Sequence, residues 1–112
     1  MSTATLAARH CVACDGSVPA LTPGERSLLL SELDGWSVVE GHHLSKDFTF
    51  PDFVAALAFA NLIGAIAEEE AHHPQITIAW GLLRVEVWTL AINGLTDSDF
   101  ILAAKCDEAR FA

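Results

Sequence analysis

A long apolar segment that ends in two histidines and a proline constrains this chain more than any other feature. Residues 53–67 are almost all apolar, and His72-His73-Pro74 follows shortly after them. Proline disfavours helical geometry in the residue before it and has no N–H to donate. The sequence therefore predicts a helix that ends at His72-His73. Residues 75–79 then alternate as a strand does, so the two imidazoles are expected at a helix-to-strand junction.

This junction is where the sequence indicates acid–base chemistry. Histidine is the side chain best matched to proton transfer near neutral pH. Three carboxylates, Glu68 to Glu70, lie within one turn before the histidines. A helix C-terminus favours cations, so an acidic run there is locally unfavourable. Two explanations stay open, namely a functional requirement and a solvated helix end.

The order of predicted elements is α-β-β-α-β-β-α, an α+β fold. Two hairpins separated by helices predict a four-stranded antiparallel sheet with the helices packed on one face. The apolar segment is expected to be the central core helix, buried on more than one side. The first predicted helix begins with a capping box of Thr22 and Glu25 and ends at Asp34-Gly35. It is followed by strands at 36–40 and 44–50, the apolar helix, strands at 75–79 and 82–90, and a last helix capped by Thr96.

Length and composition indicate one small domain. The chain has 112 residues, and residues 1–20 lack periodicity, so we expect an extended arm at 1–20 and the domain at 21–112. With 52% hydrophobic residues the chain is rich in apolar groups for its size, which indicates an oligomer. A net charge of −9 disfavours nucleic-acid and membrane binding. Without a visible secretory signal, and with three cysteines, the expected location is the cytoplasm.

Two smaller groups of histidines and cysteines have simpler interpretations. Cys11 and Cys14, after His10, could form half of a zinc site, but tetrahedral zinc needs four ligands. A terminal arm with two thiols is the favoured interpretation, and no metal or cofactor is expected. His42 and His43 are expected to be solvated histidines in the turn of the first hairpin.

The junction and its flanking residues resemble a known family. The pattern is Glu68-x-x-x-His72-His73-Pro74, then Trp80, then Gly94-Leu95-Thr96 and Asp99. It is similar to that of pterin-4a-carbinolamine dehydratases, from about Leu21 to the end of the chain. A His-His-Pro tripeptide alone would be weak, but with this spacing it is specific.

The resemblance implies an enzyme, a hydro-lyase that removes water from 4a-hydroxytetrahydropterin to give the quinonoid dihydropterin. It implies catalysis by His72 and His73 without a metal or cofactor, and a substrate site that includes Glu68, Pro74, Trp80 and Asp99. Asp99 also has a structural interpretation, as the third residue of the last helix, where it would complete a cap. The resemblance further implies dimers or tetramers built through sheet and helix contacts.

One position departs from the family pattern. The family has a third catalytic histidine ten residues after the position of Trp80, and this chain has Leu90 there. Leucine can neither donate nor accept a proton, and losing one general acid or base typically lowers a rate by about 10²–10⁴-fold.

This departure leaves two functions open. One is a dehydratase that runs on His72 and His73. The other is a binding protein that has kept the fold while its chemistry lapsed. The family provides models for the second, which are dimerisation cofactors of a transcription factor and a carboxysome-associated branch that resembles a Rubisco assembly factor or chaperone. A binding protein of this kind would have a larger protein as its partner.

Overall fold

The computed structural model describes residues 6–12 and 16–110, and it has the predicted α+β order. Its four strands form one antiparallel sheet in the order β1-β2-β4-β3. This confirms the predicted fold class. The elements are helix α1 (Pro23–Leu30), strands β1 (Ser37–Val39) and β2 (His43–Thr49), helix α2 (Phe53–Glu70), strands β3 (Gln75–Ala79) and β4 (Leu82–Val87), a 3-10 helix (Leu90–Ile92) and helix α3 (Asp97–Arg110).

One face of the sheet carries the core. Side chains of a strand alternate between faces, and the residues of β2 and β4 that face the helices are fully or almost fully buried. They are Leu44, Phe48, Leu83, Val85 and Val87. The opposite face carries polar residues, among them an Arg84–Asp47 ion pair. This alternation orients the helices on one side of the sheet only.

Helix α3, rather than α2, is the most buried helix of the protein. Every residue from Ser98 to Ala104 is buried. Helix α2 was predicted to be the central core helix, but it buries only one stripe, and Val54, Leu57 and Leu62 on its outer side are exposed. That prediction was wrong for a single chain, because α3 packs against α1, α2 and β2, while α2 contacts α3, β3 and β4 along one side only. Among the described residues, no helix is both long and apolar enough to cross a membrane.

Two predicted boundaries near the histidines also need correction. Helix α2 ends at Glu70, because Ala71 adopts a left-handed conformation (φ 54°) and caps the helix. His72 and His73 therefore lie in the connection to β3 and not in the helix. The fourth strand was predicted to reach residue 90 but ends at Val87, since the chain turns into the 3-10 helix that starts at Leu90.

The described part of the N-terminal arm packs against the domain. Leu6 and Ala7 lie in a short helical segment and are buried in the core. The backbone N–H of Cys11 donates to Oε1 of Glu70 at the end of α2, at 2.8 Å. Cys14 lies outside the described residues. The boundary between arm and domain at residue 21 stays a prediction.

Candidate active site

The junction after α2 brings His72 against an acidic residue from the start of α3. Nε2 of His72 lies 2.6 Å from Oδ1 of Asp99. The His72 side chain is 12% exposed, and that of Asp99 is fully buried. The short helix cap at Ala71 and the proline at position 74 fix the direction in which this histidine leaves the helix. The two residues are 27 positions apart, so only the tertiary fold makes this pair.

Asp99 is held in place by its second oxygen. Oδ2 accepts hydrogen bonds from the backbone N–H of Thr96 at 2.9 Å and from the hydroxyl of Thr89 at 2.8 Å. The two threonine hydroxyls also bond to each other, at 2.9 Å. Asp99 thus closes the cap of α3 with one oxygen, as predicted, and contacts His72 with the other.

The tautomer of His72 follows from this arrangement. A carboxylate only accepts hydrogen bonds, so Nε2 of His72 carries the proton that Asp99 accepts. In the neutral imidazole, Nδ1 is then the nitrogen with a free lone pair. His72 is therefore oriented to accept a proton at Nδ1.

His73 makes the corresponding pair at the surface. Its Nε2 contacts Oε2 of Glu68, one turn back along α2. Both side chains are largely exposed, at 59% for His73 and 78% for Glu68. The junction therefore presents one shielded imidazole and one solvated imidazole side by side, each with a carboxylate partner.

Leu90 lies one residue from Thr89, a partner of Asp99, and its side chain is turned to solvent. Its neighbour Thr89 sends its hydroxyl inward to Asp99, whereas the Leu90 side chain is 79% exposed. The position of the missing histidine is thus an open surface next to the His72–Asp99 pair, and it carries an apolar side chain.

Trp80 lies away from the histidines within one chain. It follows β3, and the histidine pair and Pro74 precede that strand. Five strand residues span about 17 Å at 3.3–3.4 Å each. The Trp80 side chain is 73% exposed. The structure therefore brings together Glu68, His72, His73 and Asp99, but not Trp80. The substrate-binding and catalytic roles of all these residues stay predictions.

Sequence reasoning missed Thr89 and Glu70. Glu70 was grouped with a solvated acidic run, yet its side chain is only 2% exposed and contacts His10, Lys105 and the Cys11 N–H. Burial alone raises the pKa of Glu70, but the bond from Cys11 and the nearby His10 and Lys105 outweigh it, so the pKa lies below its usual value. Helical spacing was the available signal, because Glu70 continues the buried stripe of Phe59, Ile63 and Ala67.

Cys11 contacts the end of α2 and the start of α3. Burial, together with the Glu70 carboxylate, raises the pKa of its thiol to about 12. The thiol donates instead to the carbonyl oxygen of Ser98, at 3.4 Å. A thiolate is the form that binds metals. In the described part of the arm, Cys11 thus contacts the domain as a thiol.

Comparisons with known proteins agree with this fold. The family model described as "Pterin 4 alpha carbinolamine dehydratase" matches residues 19–109. A protein of Rickettsia bellii (strain OSU 85-389), named "Putative pterin-4-alpha-carbinolamine dehydratase", is 53% identical over 106 residues, which are 94% of each chain. A protein of Rubrobacter xylanophilus with the same name is 48% identical over 102 residues, covering 91% of this chain and 95% of its own.

A solved structure shares the fold as well. It is that of a transcriptional coactivator/pterin dehydratase from Brucella melitensis, and it superimposes with a TM-score of 0.77 at 33% sequence identity. The match covers 81% of this chain and 98% of the other. The chain belongs to the pterin-4a-carbinolamine dehydratase family.

Proposed function

We propose that this protein is a 4a-hydroxytetrahydropterin dehydratase that acts through His72 and His73. The observation that carries the proposal is the pair of adjacent imidazoles, each bound at Nε2 by a carboxylate. A carboxylate on one ring nitrogen fixes the tautomer and orients the other nitrogen toward a ligand. Family membership supports the same chemistry.

The reaction needs one proton delivered and one proton removed. The bond between C4a and the hydroxyl oxygen breaks, and the oxygen leaves as water after it receives a proton. The N–H beside C4a loses its proton, and that electron pair forms the C=N bond of the quinonoid product. We assign the removal to Nδ1 of His72, which Asp99 keeps free of a proton. The solvated His73, paired with Glu68, delivers the proton to the departing oxygen.

We propose that a second copy of the chain completes this site. Strand β3 is an edge of the sheet, and its five residues include no charge and no proline, the usual protections of an exposed edge. If β3 pairs antiparallel with β3 of a second copy around Thr77, residue 80 of one copy lies opposite residue 74 of the other. Trp80 would then stand beside the histidine pair of the second copy.

Helix α2 offers another contact for self-association. Its outer side carries Phe53, Val54, Leu57 and Leu62, which are 43%, 73%, 43% and 50% exposed. Phe53, Val54 and Leu57 lie within about one turn, and Leu62 lies about two turns beyond Val54 on the same outer side; we call this apolar surface the α2 stripe. Covering such a stripe is favourable by roughly 25 cal/mol per Å². We propose that copies of the chain cover it, giving a homodimer or a tetramer.

A binding function without catalysis is the second candidate. It is favoured by Leu90, which leaves the site without a third imidazole, and by the word "coactivator" in the name of the Brucella protein. On this view the site would be a relic, and a larger protein would be the partner. Neither the names of the relatives nor the structure offers support for a role in Rubisco assembly. We place either function in the cytoplasm, because the described Cys11 and Cys106 are free thiols.

The test is a dehydration assay with chemically generated 4a-hydroxytetrahydropterin. The protein should exceed the spontaneous rate, and His73→Ala should lower that enhancement by about 10²-fold or more while the circular dichroism spectrum is unchanged. His73 is exposed, so its loss should leave the fold intact. His10→Ala is the matched control, since it removes an exposed imidazole that lies outside the site. Equal turnover by His73→Ala and the native protein contradicts the assignment.

A further inference from the structure

A second histidine pair, which the proposed reaction does not use, lies at the turn of the first hairpin, between β1 and β2. His42 is in the turn before β2, and His43 is the first residue of β2. Both rings pack against Trp88, with ring centroids at 5.1 and 5.7 Å. Asn93, from the end of the 3-10 helix, and Glu86, from β4, complete the group. We call these five residues the hairpin cluster.

The outer nitrogen of each ring has an oxygen partner. Nε2 of His42 lies 2.8 Å from Oδ1 of Asn93. Nε2 of His43 lies 3.3 Å from Oε2 of Glu86, and both side chains of this second pair are mostly buried. With the Asn93 oxygen in this position Nε2 of His42 is the donor, and the nearby Glu86 carboxylate favours a proton on Nε2 of His43.

The inner nitrogens then face each other without a proton between neutral rings. Nδ1 of His42 lies 3.0 Å from Nδ1 of His43. Two lone pairs at this distance repel each other unless a cation lies close to both. A proton held between the two rings, or a metal ion bound to both, removes this repulsion. The cluster is therefore arranged to accept a positive species at the two Nδ1 atoms.

We propose that His42 and His43 form a two-histidine site for a divalent transition-metal ion, with water in the remaining positions. Metal–imidazole bonds are about 2.0–2.1 Å long, so two nitrogens on one ion are about 2.9 Å apart at a right angle and about 3.4 Å apart in a tetrahedron. The observed 3.0 Å fits the right angle, which is the geometry of tetragonal Cu²⁺ and Ni²⁺ sites.

The surroundings of the pair match those of known metal ligands. A histidine that binds a metal through one nitrogen usually donates the other N–H to a carboxylate or carbonyl oxygen. Asn93 and Glu86 occupy these positions. Among the described residues, no group of three or more His, Cys, Asp or Glu side chains is arranged for a metal. The site consequently has two protein ligands and modest affinity, and Cu²⁺ should bind more tightly than Ni²⁺ or Zn²⁺.

The indole N–H signals of the three tryptophans allow a specific test of the metal site in the native protein, without any substitution. Ni²⁺ is the probe, because Cu²⁺ reacts with cysteine thiols. In ¹⁵N NMR spectra, Ni²⁺ should broaden the indole N–H signal of Trp88. The signal of Trp36, buried and bonded to Asp107, should stay sharp, as should that of Trp80 at the opposite end of β4. Broadening of all three signals together, or none at millimolar Ni²⁺, overturns the proposal.

Calorimetric titration with Ni²⁺ then assigns the ligands. His42→Gln should weaken binding by at least about tenfold, and Asn93→Gly by about 10–100-fold, as for other residues that orient a ligand. Glycine at 93 tolerates the left-handed backbone of that position. His10→Gln is the control and should bind as the native protein does. Unchanged binding by His42→Gln, or binding lost in His10→Gln, contradicts the site. The contacts of His42 with His43 and Asn93 would then be explained by hydrogen bonds between neutral side chains, with the Asn93 amide reversed.

Discussion

Nε2 of His72 and Oδ1 of Asp99 are 2.6 Å apart, and the other oxygen of Asp99 is already occupied by Thr89 and Thr96. The carboxylate therefore cannot turn away from the histidine without breaking two hydrogen bonds. Because Asp99 is fully buried, water cannot easily replace it. This relationship connects the cap of α3 to the orientation of a proposed catalytic base.

Replacing Asp99 by asparagine should reverse the tautomer of His72. The amide oxygen must take the Oδ2 position, since Thr96 N–H and the Thr89 hydroxyl both need an acceptor there. The NH₂ group then faces Nε2 of His72 and moves its proton to Nδ1. We expect a fall in kcat of at least about 10²-fold with a smaller change in KM.

Asp97→Asn is the matched control for this experiment. Asp97 lies in the same turn of α3, but it is half exposed and pairs with Arg9 at the surface. Its replacement should leave turnover within about twofold. Similar losses in the two variants would mean that a general effect of charge, and not the His72–Asp99 pair, controls the rate.

Glu70→Gln should detach the N-terminal arm and lower stability. The buried carboxylate contacts Cys11 N–H, His10 and Lys105, and hydrogen bonds to charged groups contribute about 1.5–3 kcal/mol. We expect a loss of that size in chemical denaturation at pH 7. Glu69→Gln, one residue earlier and exposed, should change the free energy of unfolding by no more than about 0.5 kcal/mol.

A comparison of the native protein with Glu70→Gln also tests how the contacts of Glu70 depend on pH. The pKa of Glu70 is lower in the folded protein than its ordinary value of 4.5, so its stabilising contribution is present above pH 4.5. It is lost as the pH falls through the lower, folded pKa. The stabilities of native protein and Glu70→Gln should therefore converge in acid. A gap that stays constant down to about pH 2 would show that ionisation of Glu70 plays no part.

If copies of the chain cover the α2 stripe, a charge placed within it should weaken their association. Leu57→Glu places a carboxylate within it and should shift the protein toward a smaller species in size-exclusion chromatography with light scattering. Leu28→Glu is the control, because Leu28 is 72% exposed on α1, outside the stripe. An unchanged mass for Leu57→Glu, or a monomeric native protein, would exclude the stripe as an interface.

Mixing two inactive variants tests whether Trp80 serves a second copy. If it does, a mixed dimer of Trp80→Ala and His73→Ala holds one complete site, because the intact Trp80 and the intact His73 come from different chains. After joint refolding, the mixture should be more active than the sum of its parts. Activity equal to that sum places Trp80 outside the site of the other copy.

Local signals in the sequence predicted much of the fold. The capping box of Thr22 and Glu25 is present in the structure, and β3 has the predicted bounds. The burial of Leu83, Val85 and Val87 follows the two-residue period of a strand. Such features depend on residues that are neighbours in the chain, so they can be recognised in a single sequence.

The remaining features depend on contacts between distant residues. Apolar residues around α2 did not reveal which helix would be enclosed, since α2 and α3 are both rich in them. Nothing near His42 indicates Asn93, and nothing near Glu70 indicates Cys11, because the residues of each pair are far apart in the chain. Asp99 could be interpreted either as a cap or as a site residue, and only the fold shows that one of its oxygens closes the cap while the other contacts His72.

The measurement that tests the central claim most directly compares dehydration rates of the native protein and Leu90→His. Leu90 is exposed beside the His72–Asp99 pair, so a histidine should be accommodated there without loss of stability. The proposed function predicts that the native protein already exceeds the spontaneous rate and that the variant is faster. If the native protein adds nothing to the spontaneous rate while Leu90→His does, the chain is a lapsed dehydratase and its function is to bind a partner.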